Sequence, residues 1–354
     1  MLMHRAFISR RRGLLGLSLG LLLAFLPVNA AFSLDYVIKE VIEVGEADFV
    51  PFLGPVKWSP DGTMIAFTKN GVIKVSDTLG NIREVARLDM GVHRMDWVSN
   101  DKIAVQLKGY TGQGMATENR LSLIDVTTGI ESPVHEYKTT PDYKTTPGVA
   151  RASGPYKTVE GNLFYTLTSS NSRGQTPTVE RKSFSETKLE SIGNNHFLRW
   201  SDSGLYMVRL DESDSTWLVS KPFRKMGLFT KVSHDLSYAL DGGQLFRLRD
   251  SVRIVLDTLL GPVPENTHSC DVSFFSFNPV ADEVLFTIVC EGGVHESEFE
   301  TFRIATFDCN SFKLSIIDSL ISMSNCVAPA YSPDGMKIAF QSKGKVYFLK
   351  RSLN

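Results

Sequence analysis

Four cysteines in 354 residues, none in C-x-x-C spacing, exclude a clustered-thiolate metal centre or a dithiol redox site. A dominant charge sign is also lacking. With 38 basic and 39 acidic residues the net charge is −1, which leaves no electrostatic footprint for nucleic acid. The longest apolar run, Gly13 to Leu26, is about fourteen residues where a spanning helix needs about twenty, so no retained membrane span is expected. Arg5, Arg10, Arg11 and Arg12 precede that run and Val28-Asn29-Ala30 follows it, the pattern of a secretory signal over 1–30 cut after Ala30. No cysteine stands at the cleavage region, so a bacterial lipoprotein anchor is not expected. Losing four arginines takes the charge from −1 to −5, a mildly acidic surface that suits solubility and disfavours a polyanionic partner.

What the sequence does contain is a repeat. Lys57-Trp58-Ser59-Pro60-Asp61-Gly62-Thr63-Met64-Ile65-Ala66-Phe67 recurs as Ala330-Tyr331-Ser332-Pro333-Asp334-Gly335-Met336-Lys337-Ile338-Ala339-Phe340. Each copy reads as a strand ending on an aromatic, a turn with Pro presetting φ and Gly accepting positive φ, and a second strand of β-formers. Lys69-Asn70-Gly71 and Lys343-Gly344 then turn the chain into a third strand. Weaker copies lie at Trp97-Val98-Ser99-Asn100-Asp101, Tyr156 to Asn162, Trp200-Ser201-Asp202-Ser203-Gly204, Val232 to Ser237 and Phe277 to Asp282. The seven anchors are about 33 to 60 residues apart, bracketing the spacing of four-stranded propeller blades.

This predicts an all-β, seven-bladed β-propeller of four-stranded antiparallel blades, with six or eight blades as the lesser alternatives. Residues 31–354 are expected to form one domain, with blades starting near 54, 92, 150, 195, 230, 271 and 326. Room remains for only three strands after Tyr331. The strand-like segment at about 34–44, containing Asp35-Tyr36-Val37-Ile38-Lys39, is therefore expected to close the ring and protect its edges. The Ser-Pro-Asp-Gly copies resemble the TolB-type, WD-like propeller repeat, also seen in prolyl oligopeptidase-like enzymes, from about residue 34 onward. The resemblance implies the fold alone, because the α/β domain that precedes the propeller in TolB has no room here. Ser9-Arg10-Arg11-Arg12-Gly13-Leu14-Leu15 likewise resembles a twin-arginine export signal, with Gly13 where phenylalanine is usual, and the general secretory route is the default.

Chemistry is sparse. Gly16-Leu17-Ser18-Leu19-Gly20 matches a nucleophile elbow but lies in the signal, and no hydrolase-sized segment exists, so no catalytic residue is assigned. Asp61, Gly62, Asp334 and Gly335 are read as structural turn residues. Trp58, Trp97 and Trp200 are read as packing between blades. His93 and His196 each stand four residues before an anchor tryptophan, which places both near the channel entrance as candidate ligand-binding residues. Two imidazoles do not make a zinc site, so no metal and no cofactor are expected. Cys270 and Cys290 fall opposite each other if Phe277 pairs with Glu283, which predicts a disulfide in exported protein. Cys309 and Cys326 lie on opposite rims, a weaker pairing.

Loops joining second to third strands share a rim with the connections between blades. There, blades two, three, four and six carry Lys108 to Asn119, Ser169 to Pro177, Asp211 to Ser215 and Glu291 to Glu300. The near-duplication over 137–148 belongs to the same side. Long polar loops on a rigid scaffold are where binding tends to reside, which adds His295, Glu296 and Asp211 to the candidate ligand-binding residues. The expectation is an exported, periplasmic or extracellular, monomeric and non-enzymatic binding or scaffold propeller, engaging an envelope or extracellular protein or polymer. The alternative is a propeller enzyme, a lyase or hydrolase on a saccharide or lactone, with its site in the central funnel.

Overall fold

Met64–Lys69 and Lys337–Ser342 are runs of apolar and β-favouring residues whose side chains are buried on both faces. Such a run suits a strand covered on both sides of its sheet. The computed structural model describes residues 36–47, 56–110, 116–138, 150–158, 160–169, 178–184, 195–201, 204–210, 212–213, 215–220, 231–241, 243–250, 252–260, 267–292, 299–317 and 326–353. The expected signal lies outside them. Leu34–Asn354 forms one compact unit, separate from Met1–Ser33.

The strands form seven antiparallel sheets arranged as the blades of a ring. Blade 1 is Lys57–Trp58, Met64–Lys69, Val72–Asp77 and Ile82–Arg87. Blade 2 is Gly91–Ser99, Lys102–Tyr110, Ala116–Asp125 and Glu131–Lys138. Among the described residues blade 3 shows Ala150–Lys157, Leu163–Ser169 and Thr178–Ser183, and blade 4 shows His196–Ser201, Gly204–Arg209 and Ser215–Ser220. Blade 5 is Lys231–Val232, Tyr238–Asp241, Gln244–Arg247 and Val252–Val255, followed by the one short helix among the described residues, Leu256–Leu259. Blade 6 is Thr267–Phe277, Glu283–Gly292, Phe299–Asp308 and Lys313–Ile316.

Blade 7 has three strands of its own, Cys326–Tyr331, Lys337–Ser342 and Lys345–Leu353. Its fourth is the N-terminal strand Tyr36–Glu46, paired antiparallel to Lys345–Leu353 with Val41 opposite Leu349. The closing strand anticipated from the sequence is therefore present, and it covers an edge that would otherwise be open.

Apolar side chains fill the spaces between blades. One buried group joins blades 1 and 2 through Ile73, Val75, Trp97 and Ile103, and another joins blades 7 and 1 through Phe348, Ala339, Phe67 and Trp58. Between blades 3 and 4, among the described residues, buried Phe164 and Leu210 form the shared group. There, Glu160 in the first turn of blade 3 accepts a bond from the His196 amide at the start of blade 4. Phe164 meets Phe197 at 6.2 Å between ring centres. The entry end of blade 4 thus sits level with the turn end of blade 3. In blade 4, Ser201 pairs with Gly204.

Candidate functional site

The first turns of blades 1, 5 and 7 share one hydrogen-bonding device. Asp61 accepts from the Ser59 hydroxyl at 2.6 Å and the Thr63 amide at 3.0 Å, and the Ser59 hydroxyl accepts from the Met64 amide at 2.9 Å. Asp235 with Ser233 and Ser237, and Asp334 with Ser332 and Met336, repeat it. Burial opposes ionisation of Asp61, but the bonds from Ser59 and Thr63 outweigh it and hold the carboxyl below its ordinary range. The same balance takes Asp235 to about 2. Carboxylates so engaged complete turns. Gly62 and Gly335 take φ of +67° and +70°, and Leu236 takes the same left-handed conformation at +60° in blade 5.

Trp58 and Trp97 are inter-blade braces. The indole N–H of Trp58 donates to the Ala330 carbonyl of blade 7 at 3.1 Å, and that of Trp97 donates to the Lys57 carbonyl of blade 1 at 2.8 Å. These bonds also establish that Asp96 occupies in blade 2 the position of Lys57 in blade 1.

His93 and His196 lie in separate surroundings. His93 Nε2 is 2.8 Å from Lys108 Nζ, and burial, then the charges of Lys108 and Arg94, lowers its pKa to about 4. His196 Nδ1 is 2.7 Å from Glu160 Oε1. Asp211, His295 and Glu296 lie outside the described residues, as does the Trp200 side chain. A group that sequence reasoning did not single out as ligating comprises His234, Asp235 and Asp282, at the turn end between blades 5 and 6, with ligating atoms within 4.8 Å of one another.

Cys270 and Cys290 form a disulfide, with Cα atoms 4.1 Å apart. Phe277 pairs with Val284, not Glu283, and a bulge between Ser273 and Ser276 restores the register in which Cys270 faces Cys290. No bond joins Cys309 to Cys326, and both are fully buried.

The rim opposite the first turns is uneven. Blade 1 crosses it with Asn70-Gly71 and blade 7 with Lys343-Gly344, two-residue turns with positive φ throughout. In blade 2 the ladder runs on until Tyr110 faces Ala116, and in blade 6 until Gly292 faces Phe299. Both ends of each of these two stretches, expected as loops, are therefore paired strand, and 111–115 and 293–298 lie outside the described residues. Both hairpins are braced near their bases. The disulfide fixes that of blade 6, while Arg120 reaches Asp89, Glu131 and Glu136 at 2.5, 2.8 and 3.7 Å in blade 2.

The first strands of blades 5, 6, 7, 1, 2 and 3 touch one another in that order and line the central channel. Near its turn end they carry Lys57, Asp96, Lys157 and Lys231. Lys57 Nζ is 3.7 Å from Asp96 Oδ2, and Lys231 donates to the Phe275 carbonyl of blade 6. Lys231 lies within electrostatic reach of Lys57, Asp96 and Lys157.

No family model and no curated protein matches this chain. Among solved structures, a chain of "Crystal Structure of Mitotic Checkpoint Complex" aligns over 99% of this chain and 99% of its own at 11% identity, with a TM-score of 0.48. "The structure of putative TolB from Agrobacterium tumefaciens" aligns over 88% and 91% at 14% identity, with a TM-score of 0.37. The class is defined by the strands themselves: this is a seven-bladed β-propeller.

Proposed function

We propose that this chain is an exported, non-enzymatic binding propeller that engages an envelope or extracellular protein or polymer through the rim bearing the hairpins of blades 2 and 6. The observation that carries this reading is the extension of two ladders past the length their sheets need, on one rim of a closed ring. A surface held out on paired strands is ordered before it meets a partner, which lowers the entropic cost of association. Export is supported by the disulfide, which suits an oxidising compartment, and by the Arg-rich apolar leader. Among the described residues no helix is long and apolar enough to cross a membrane.

Trimming tests the rim. Joining Lys108 to Asn119 and Glu291 to Glu300 through Asn-Gly turns keeps each register. The trimmed chain is expected to melt as the parent does and to lose partner capture from envelope extract. Undiminished capture by a folded trimmed chain contradicts the proposal.

A further inference from the structure

We propose that the turn end of the central channel is a binding site for a phosphate-type oxyanion, held by Lys57, Lys157 and Lys231. The site is independent of the rim. Its residues come from the first strands of blades 1, 3 and 5, so the ring brings them together around one axis. Blade 2 contributes Asp96 at the position of Lys57, while blades 6 and 7 place uncharged Ser276 and Ala330 at that level. Among the described residues at this end of the channel, three ammonium groups and one carboxylate leave an excess of two positive charges.

Asp96 does not neutralise the group. Its Oδ2 is 3.7 Å from Lys57, a loose pair, and its Oδ1 accepts from the Trp97 amide at 2.9 Å. Lys231 is open to solvent yet surrounded by protein, as a channel-lining group is. Its direct partner is a neutral carbonyl, that of Phe275, beside the bulge between Ser273 and Ser276. Burial first, then Lys57 and Lys157, lowers its pKa to about 8, with Asp96 opposing. A cation held in that state gains from an anion more than a surface lysine does, because less water competes.

The donor set selects the anion. Lysines are point charges without the planar fork that arginine offers a carboxylate. Ammonium groups spread around an axis suit a tetrahedral dianion whose oxygens point in several directions, and its charge matches the excess.

Calorimetric titration of the mature chain with inorganic phosphate and with glycerol phosphate, in low salt near neutral pH, tests the site. Lys231→Met is expected to weaken phosphate binding about tenfold or more, the loss of one charge-assisted contact. Asp96→Asn is expected to tighten it, which a folding defect does not do. Lys345→Met, whose ammonium pairs with Glu43 on the outer strand of blade 7, is expected to change nothing. Parental affinity should fall as pH rises through about 8, where Lys231 gives up its proton, and Lys231→Met should lose that step. Equal binding of both probes assigns recognition to the phosphate group, whereas preference for the ester extends the site along the channel. Absence of phosphate binding, unchanged binding in Lys231→Met, or an equal loss in Lys345→Met overturns the proposal.

Discussion

At one rim of the ring, blades 1, 5 and 7 close their first hairpins with the same serine–aspartate turn. At the other, the two-residue turns of blades 1 and 7 stand beside the long ladders of blades 2 and 6. The turn rim also ties blade to blade. Asn100 accepts from the Asp61 amide at 3.1 Å, Lys337 reaches the Gly62 carbonyl at 3.4 Å, and Arg351 grips Glu283 with two bonds at 3.0 and 2.8 Å. Uniformity at that rim serves assembly of the ring. The opposite rim is free to vary because its turns lie beyond the shared core, which is why the partner surface is assigned there.

The largest predicted effect tests whether the turn rim holds the ring together. The Arg351 side chain is 3% exposed and also donates to the Gly335 carbonyl, so Arg351→Met leaves the largely covered Glu283 without a counter-charge, with the bond from Asn278 remaining. It should cost about 3–5 kcal/mol in urea denaturation, with Glu283→Gln recovering part of the loss in the double variant. On the other rim, replacing Cys270 and Cys290 with serine opens a cross-link separated by 20 residues and should cost about 3 kcal/mol in the same assay. A loss much below that would mean the hairpin base of blade 6 is held by its ladder alone.

The turns provide a finer comparison. A Cβ at Gly335 would lie 2.4 Å from Asn278 Oδ1 and 2.8 Å from Val280 Cγ2, while one at Gly62 would meet Pro333 Cδ at 3.3 Å. Gly335→Ala should therefore cost about 2 kcal/mol and Gly62→Ala about half that, read from melting curves. Leu236→Gly should stabilise blade 5 slightly, by up to about 1 kcal/mol, because leucine there holds a conformation that glycine takes freely. Equal penalties at both glycines would place the cost in φ alone rather than in contact with the neighbouring blade.

The sequence carried the regular features because they depend on local chemistry. Ser-Pro-Asp-Gly encodes a turn, Asn70-Gly71 encodes another, and the N-terminal strand followed from counting strands in blade 7. Features that depend on the ring were less legible. The bulge at Ser273–Ser276 has no turn residue to announce it, so the correct cysteine pairing rested on a register off by one at Phe277. The offset between blades 3 and 4 rests on contacts between residues far apart in sequence, Glu160 with His196 and Phe164 with Phe197. The channel lysines come from strands far apart in sequence, and that Lys231 lies within electrostatic reach of Lys57 and Lys157 becomes visible only in the folded ring.

Photo-crosslinking tests the division between rims most directly. A photoreactive residue placed at Tyr110 or Gly292, at the described ends of the two hairpins, should yield partner adducts in whole cells, while the same residue at Thr63 or Met336 on the turn rim should yield none. Adducts confined to the turn-rim positions would contradict the account.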